Sequence, residues 1–225
     1  MPSRNSLKVY LANGYYHIYN RGVEKRIIFQ DGHDYGVFMK YLKEILLPPD
    51  PRKLNTMFTI RGQSYQGVKH PLKNYCDEID LLAYCLMPNH FHLEIKQNKK
   101  DSIEGLMRAL MTRYSMYFNK RYGRVGSLFQ GRYKAVLIDD EAYIVHLSRY
   151  IHLNPVEYTK DLVSAYSSYE NYLGNRKDDW VKPEEVLRLF NEKAGIVLKD
   201  TNTYKNFVES YAYDSESLLG ELTLE

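Results

Sequence analysis

Residues 87–96 read MPNHFHLEIK. The stretch follows IDLLAYCLM (79–87), and two strand-like runs separated by Pro88-Asn89 predict an antiparallel hairpin. On a strand, alternate residues share a face, so His90, His92 and Glu94 project together from one side of that hairpin. Working outward, GYYHIYNRG (14–22) is rich in aromatic and β-branched residues between glycines and predicts a strand. DYGVFMKYLKEIL (34–46) spaces Val37, Phe38, Tyr41, Leu42 and Ile45 as a helix does, and Pro48-Pro49 ends it. Residues 48–78 form a polar insertion longer than usual connections, with a hairpin expected around RGQS.

Downstream, Ser102 to Tyr122 predicts a long helix capped by Asp101 or Ser102. YKAVLI (133–138) returns as a strand, and EAYIVHLSRYIHLN (141–154) as a helix capped by Asp139 or Asp140. The alternation implies an α+β fold, an antiparallel sheet with helices packed on it. Beyond about residue 165 only helical pieces follow, PEEVLRLF (183–190) and TYKNFVESY (203–211). The expected division is a catalytic domain over 1–165, interrupted at 48–78, and a helical C-terminal extension over 166–225.

At 225 residues, 44% hydrophobic and 26% charged, the composition is that of a globular protein. No apolar run is long enough for a membrane span or a secretory signal, so a cytoplasmic protein without a membrane partner is expected. Cys76 and Cys85 lack metal-site spacing and are expected to be ordinary small hydrophobes. The net charge of +3 conceals segregation. Residues 105–134 hold Arg108, Arg113, Lys120, Arg121, Arg124, Arg132 and Lys134 without an acid, a candidate anion-binding face, whereas 208–225 hold five acids and no base.

Two imidazoles at neighbouring same-face positions can converge on one divalent ion, although a solvated strand face accounts equally well for HxH alone. In the helix 141–154, Ile144, Leu147, Ser148 and Ile151 form the expected buried stripe, and Tyr143, His146, Tyr150 and Asn154 the adjacent face. A phenol and an amide one turn apart can supply a nucleophile and a metal ligand. Taken alone, packing explains them as well, since the chain has 22 tyrosines.

Four stretches in order, YHIYNRG (16–22), YCLMPNHFHLEI (84–95), RYGRVGSLFQGRYKA (121–135) and YIHLNPV (150–156), resemble the motifs of the REP-associated tyrosine transposases. These are relatives of the IS200-like transposases within the HUH nuclease superfamily, and the likeness runs over residues 14–170. The resemblance implies a ferredoxin-like core in which His90 and His92 bind a divalent metal, Mg or Mn, and Tyr150 attacks the scissile phosphate. Asn154 stands where related enzymes place a glutamine as third ligand, and Glu94 where the family usually has an apolar residue, making it an extra ligand or a solvated charge. The chemistry suits the residue types. A metal neutralises phosphate oxygens, and a phenolate leaves more readily than an alkoxide, so a phosphotyrosine link can be reversed by a DNA 3′-hydroxyl.

The expected activity is therefore metal-dependent nicking and strand transfer on single-stranded or hairpin DNA, by a monomer or homodimer. Arg21, Arg113, Arg121, Arg124, Phe129, Arg132, Tyr133 and Lys134 are the expected DNA-contacting residues, with Asn20 a lesser candidate and with the aromatics stacking bases. The alternatives are a catalytically idle nucleic-acid binder of the same fold and a nuclease that uses water as nucleophile.

Overall fold

The structure, a computed structural model, describes residues 10–50, 55–68, 73–194 and 203–210. Its centre is a four-stranded antiparallel sheet of β1 (Gly14–Arg21), β4 (Ile79–Met87), β5 (His90–Gln97) and β6 (Lys134–Ile138), in the spatial order β4-β5-β1-β6. The expected turn at Pro88-Asn89 joins β4 to β5, pairing Met87 with His90. A separate ribbon of β2 (Asn55–Ile60) and β3 (Gln63–Val68) turns at Arg61-Gly62, within the expected hairpin. With the ribbon set aside, the chain runs β-α-β-β-α-β with its strands ordered fourth, first, third, second, the ferredoxin-like arrangement.

Period-two alternation gives the sheet two unlike faces. Tyr16, Ile18, Tyr84, Leu86, Phe91, Leu93 and Ile95 turn to one side and pack against α1 (Gly32–Leu46) and α2 (Ser102–Arg121). The opposite side carries His17, Tyr19, His92 and Glu94 beside Ala83, Cys85 and Met87, beneath α3 (Glu141–Leu153). Two helices from the C-terminal part, α5 (Glu184–Ala194) and α6 (Tyr204–Glu209), pack on α3 through Val186, Leu189, Phe190, Phe207 and Val208. The short α4 (Tyr169–Tyr172) follows a stretch hydrogen-bonded to β4: Leu86 N donates to Tyr166 O and Ser168 N to Tyr84 O. Tyr211 and the remaining C-terminal acids after Glu209 lie outside the described residues.

Helix starts show where local signals suffice. Asp140 caps α3 as expected, accepting from Tyr143 N at 3.0 Å. Asp101 is positioned to cap α2 but adopts φ 66° and makes no side-chain cap bond; Gln97 Oε1 from β5 accepts from Ile103 N at 3.0 Å instead. The strand end has displaced the local cap.

Asp34 ties α1 to α2. Wholly buried, it accepts from Gln30 N, Tyr117 Oη, Tyr122 Oη and Arg121 Nη1 at 2.7 to 2.8 Å. Removing the carboxylate leaves two hydroxyls and the Gln30 amide without this acceptor and Arg121 with Asp31 as its remaining acid. Asp34→Ala is expected to lower the unfolding free energy by about 3 kcal/mol, measured by urea denaturation. A loss below about 0.5 kcal/mol would mean that water replaces the carboxylate.

Candidate active site

The His90–His92 pair arises from the alternation of β5, and Tyr150 from the last turns of α3, which lies across that face. Ring centroids of His90 and His92 are 5.1 Å apart at 84°, and the Tyr150 ring meets His92 edge-on at 5.4 Å and 88°. Asn154, at the C-terminal end of α3, is near enough to the His90 ring and the Tyr150 phenol to bear on the protonation of both. Its amide nitrogen also donates to Tyr150 O at 3.0 Å. Sequence positions 90, 92, 150 and 154 thus meet within one chain. His92 is fully buried, whereas His90, Tyr150 and Asn154 remain partly open.

A third imidazole, His17 of β1, was not among the expected residues. His17 Nε2 and His92 Nδ1 are 2.7 Å apart, with the rings stacked at 5.0 Å. The signal was present in YHIYN: antiparallel pairing sets Tyr19 opposite His92 and His17 opposite Glu94, on the same face. Nothing in the sequence, however, specifies which strand lies beside β5.

Burial controls the protonation of this row. Desolvation pushes His17 down to about 3, His90 down to about 4 and His92 well below the usual imidazole range, so all three are neutral near pH 7. Glu94 is fully buried with neither oxygen partnered, and desolvation raises its carboxyl well above the usual range. It is therefore not a solvated charge. Burial likewise pushes the Tyr150 phenol up to about 12, opposed by the Asn154 hydrogen bond.

The nitrogens face in useful directions. His90 Nδ1 lies 2.6 Å from Asn89 Oδ1, an oxygen that can only accept, so the proton sits on Nδ1 and Nε2 keeps its lone pair. His92 Nε2 is buried and unpartnered, and when Nδ1–H donates to His17 that nitrogen too carries a lone pair. Two neutral imidazole nitrogens beside an amide make a donor set that fits a divalent cation. Among the described residues no group of three or more His, Cys, Asp or Glu side chains forms a metal-ligand set. A third protein ligand here would therefore be an amide or hydroxyl oxygen.

The expected DNA-contacting residues separate. Arg21 pairs with His90 in register and Lys134 with Tyr19, so both flank the cluster. Arg113 and Arg121 belong to α2, across the sheet, where they bind Glu44 at 2.5 Å and Asp31 and Asp34 at 2.6 and 2.8 Å. Arg124 bonds Asn119 at 3.2 Å, and Arg132 is exposed. The stretch 105–134 does not form one basic face, because acids of α1 neutralise part of it. Phe129 and Tyr133 are core residues, Phe129 against Phe91 and Tyr114 and Tyr133 hydrogen-bonded to Tyr10 Oη at 2.5 Å. They do not present rings for base stacking. Asn20 is also buried, bonding Gly131 O at 3.3 Å.

Residues 56–154, from β2 to the end of α3, match the family described as Transposase IS200 like. The chain is similar in structure to a REP-associated tyrosine transposase bound to a REP hairpin, at 14% identity and a TM-score of 0.52, over 80% of this chain and 92% of that one. At that identity the likeness is one of fold. A candidate transposase from Deinococcus radiodurans R1 aligns at 13% identity and a TM-score of 0.36, over 64% of this chain and 90% of that one. No curated protein matches in sequence. Among the described residues, no helix is long and apolar enough to cross a membrane.

Behind the cluster, α3 is fixed by buried His152. Its Nδ1 lies 2.8 Å from Tyr204 Oη and its Nε2 2.8 Å from Ser168 Oγ, while Tyr204 Oη donates to Ser148 Oγ at 2.9 Å. Tyr204→Phe removes one oxygen, leaving buried His152 Nδ1 without its partner and Ser148 Oγ with Val145 O alone. A stability loss of about 2 kcal/mol in chemical denaturation is expected, and an unchanged midpoint would show that α6 does not hold α3.

Proposed function

We propose that this chain, whose residues 56–154 carry the pattern of the IS200-like transposases, is a transposase that nicks and rejoins single-stranded or hairpin DNA through Tyr150. The approach of the Tyr150 ring edge to His92, with His90 and Asn154 alongside, carries this reading. The Tyr150 oxygen attacks phosphorus, a phosphotyrosine bond forms, and the bond to the 3′ oxygen breaks, that oxygen leaving as a hydroxyl. Attack by a 3′-hydroxyl reverses the step and frees the phenol, so rejoining needs no nucleotide energy.

Each side chain has a part in that chemistry. Buried and protonated, the phenol must lose its proton as the new bond forms, and the Asn154 hydrogen bond favours the anion. His90 and His92 would hold a divalent ion through their Nε2 atoms, Asn154 adding oxygen. Such an ion, when bound, would offset the phosphate's charge and ease ionisation of the phenol. Arg21 and Lys134 flank the cluster where phosphates on either side of the cut would lie. His17 would act as a positioning residue, accepting His92 Nδ1–H and so keeping Nε2 free. The DNA partner is supported by the hairpin carried by the structurally similar REP-associated transposase.

The test is incubation with labelled single-stranded hairpin DNA and Mg²⁺ or Mn²⁺, followed by a search for a denaturant-resistant protein-DNA adduct. Tyr150→Phe should bind DNA normally and form none. Free ends from that variant would indicate water as nucleophile, and binding without cleavage by the wild type an idle binder. His90→Ala, His92→Ala or a chelator should lower cleavage by about a hundredfold or more, and Asn154→Ala by less because water can replace an oxygen ligand.

His17 can be tested without catalysis. His17→Leu is expected to weaken Mn²⁺ binding about 10- to 100-fold by calorimetry, with partial rescue in His17→Asn, whose amide oxygen can accept from His92. Equal affinity in wild type and His17→Leu would remove His17 from the site.

A further inference from the structure

A column of three aromatic rings ends at the surface beside the cluster. The buried Phe29 ring stacks on Tyr35 of α1 at 4.6 Å and 17°, and Tyr166 stacks on Tyr35 at 3.9 Å and 5°. Two rings parallel to a third at those distances cannot share one of its faces, so Phe29 and Tyr166 lie on opposite sides of Tyr35. The inner end is fixed, because Phe29 also meets Phe38 and Tyr114 in the core. The outer end is open: with one face on Tyr35, Tyr166 is still 38% accessible. Gly32 makes room for its hydroxyl, since a Cβ there would lie 3.0 Å from Tyr166 Oη.

The column stands at the end of the sheet that carries the cluster. Tyr166 O accepts from Leu86 N at 2.9 Å, which sets this segment beside the last residues of β4, and the next residue of β4, Met87, pairs with His90. Tyr166 and His90 are thus separated by two strand spacings, about 10 Å between backbones. At 3.4 Å per nucleotide, about three nucleotides cover that distance. Tyr158, 52% exposed, follows Asn154 by one turn, its N donating to Pro155 O at 2.9 Å. Burial pushes the Tyr35 phenol up to about 12, and the phenols of Tyr166 and Tyr158 are near enough to add to that rise. Tyr158 therefore lies near the column as well as near Asn154.

The chemistry of the open face selects its occupant. Between Asn154 and Tyr166 the chain carries two acids, Glu157 and Asp161, and one base, Lys160, so this segment has no positive surplus to hold a phosphate. A flat ring at the end of a parallel column offers its π face to another flat ring. Bases inside a duplex have both faces covered, whereas an unpaired base has them free. Four Phe or Tyr side chains are exposed among the described residues, Phe58, Tyr65, Tyr158 and Tyr166, and the last two come from the segment after α3.

We infer that the outer face of Tyr166 is a stacking platform for one unpaired nucleobase of the strand that enters the His90–Tyr150 cluster, with Tyr158 beside it. This rests on the DNA-processing function proposed above. Tyr166 thereby takes the stacking part that Phe129 and Tyr133, whose rings are in the core, cannot play.

The test measures binding by the full-length protein, by fluorescence anisotropy, to labelled hairpins with a single-stranded flank. One abasic position is moved along the flank, and the same hairpin without a flank is the control. At one flank position, loss of the base should weaken wild-type binding about tenfold. Tyr166→Leu keeps an apolar cover on Tyr35 but offers no ring. It should bind the intact flanked hairpin about tenfold more weakly, lose nothing further at that position, and leave the unflanked hairpin and the salt slope unchanged. Tyr166→Phe and Tyr166→Trp should bind as the wild type does. A second readout needs no variant: 2-aminopurine at that flank position should be quenched when the wild-type protein binds, as it is on stacking. Equal loss with and without the flank overturns the inference, as does the absence of any flank position coupled to Tyr166 or quenched on binding. So does a wild-type dimer that Tyr166→Leu dissolves at unchanged DNA affinity, which would make the ring a contact between copies. Coupling at a flank position without a covalent adduct would defeat the Tyr150 reading and leave this one standing; an adduct without coupling would do the reverse.

Discussion

A row of ionisable side chains on the inner side of a sheet constrains everything packed above it. His17, His92 and Glu94 are wholly buried, so each must be neutral or compensated. The imidazoles manage this by pairing with each other, and the carboxyl by holding its proton. Such a row can persist only if the covering helix is well fixed, which explains why α3 is anchored on its far side by the His152–Tyr204–Ser148 network. The described C-terminal helices thus help to place Tyr150 at a distance, since they hold the helix that carries it.

The other face of the sheet supplies the stabilising core that this polar row lacks. Phe38, Phe91, Phe118 and Tyr114 interlock there, and Asp34 joins the two helices that cover them. The layers have divided their work, one side ordinary and apolar, the other polar and reactive. Such a division permits a site with desolvated, unpartnered nitrogens in a chain of this size.

Much of the arrangement was legible in the sequence because period and punctuation are local. The β4–β5 hairpin followed from two apolar runs around Pro88-Asn89, and α3 from its spacing and Asp140. The meeting of His90, His92, Tyr150 and Asn154 followed from strand and helix periods together with family resemblance. What the sequence alone does not reveal depends on remote partners. Arg113 and Arg121 stand in a stretch without acids, yet they pair with Glu44, Asp31 and Asp34, 69 to 90 residues away in sequence. Phe129 and Tyr133 stood among bases and proved to be core, because whether an aromatic faces in or out is decided by packing. The place of His17 beside His92 is hidden from the sequence for the same cause, since it depends on which strand is laid beside β5.

The hydrogen bonds along the outer side of β4 bear on how copies of this chain can meet. The carbonyl of Leu81 accepts from Lys182 N, the carbonyl of Tyr84 from Ser168 N, and the amide of Leu86 donates to Tyr166 O. Cys85 and Ser167 form a bridge between them. An edge strand normally offers its backbone to any extended segment, so fusion of two sheets into one is a ready route to a dimer. Here a downstream segment of the same chain already occupies that backbone. Joining two copies through β4 would first require peeling this segment away, so the long edge of the sheet is closed to β-augmentation.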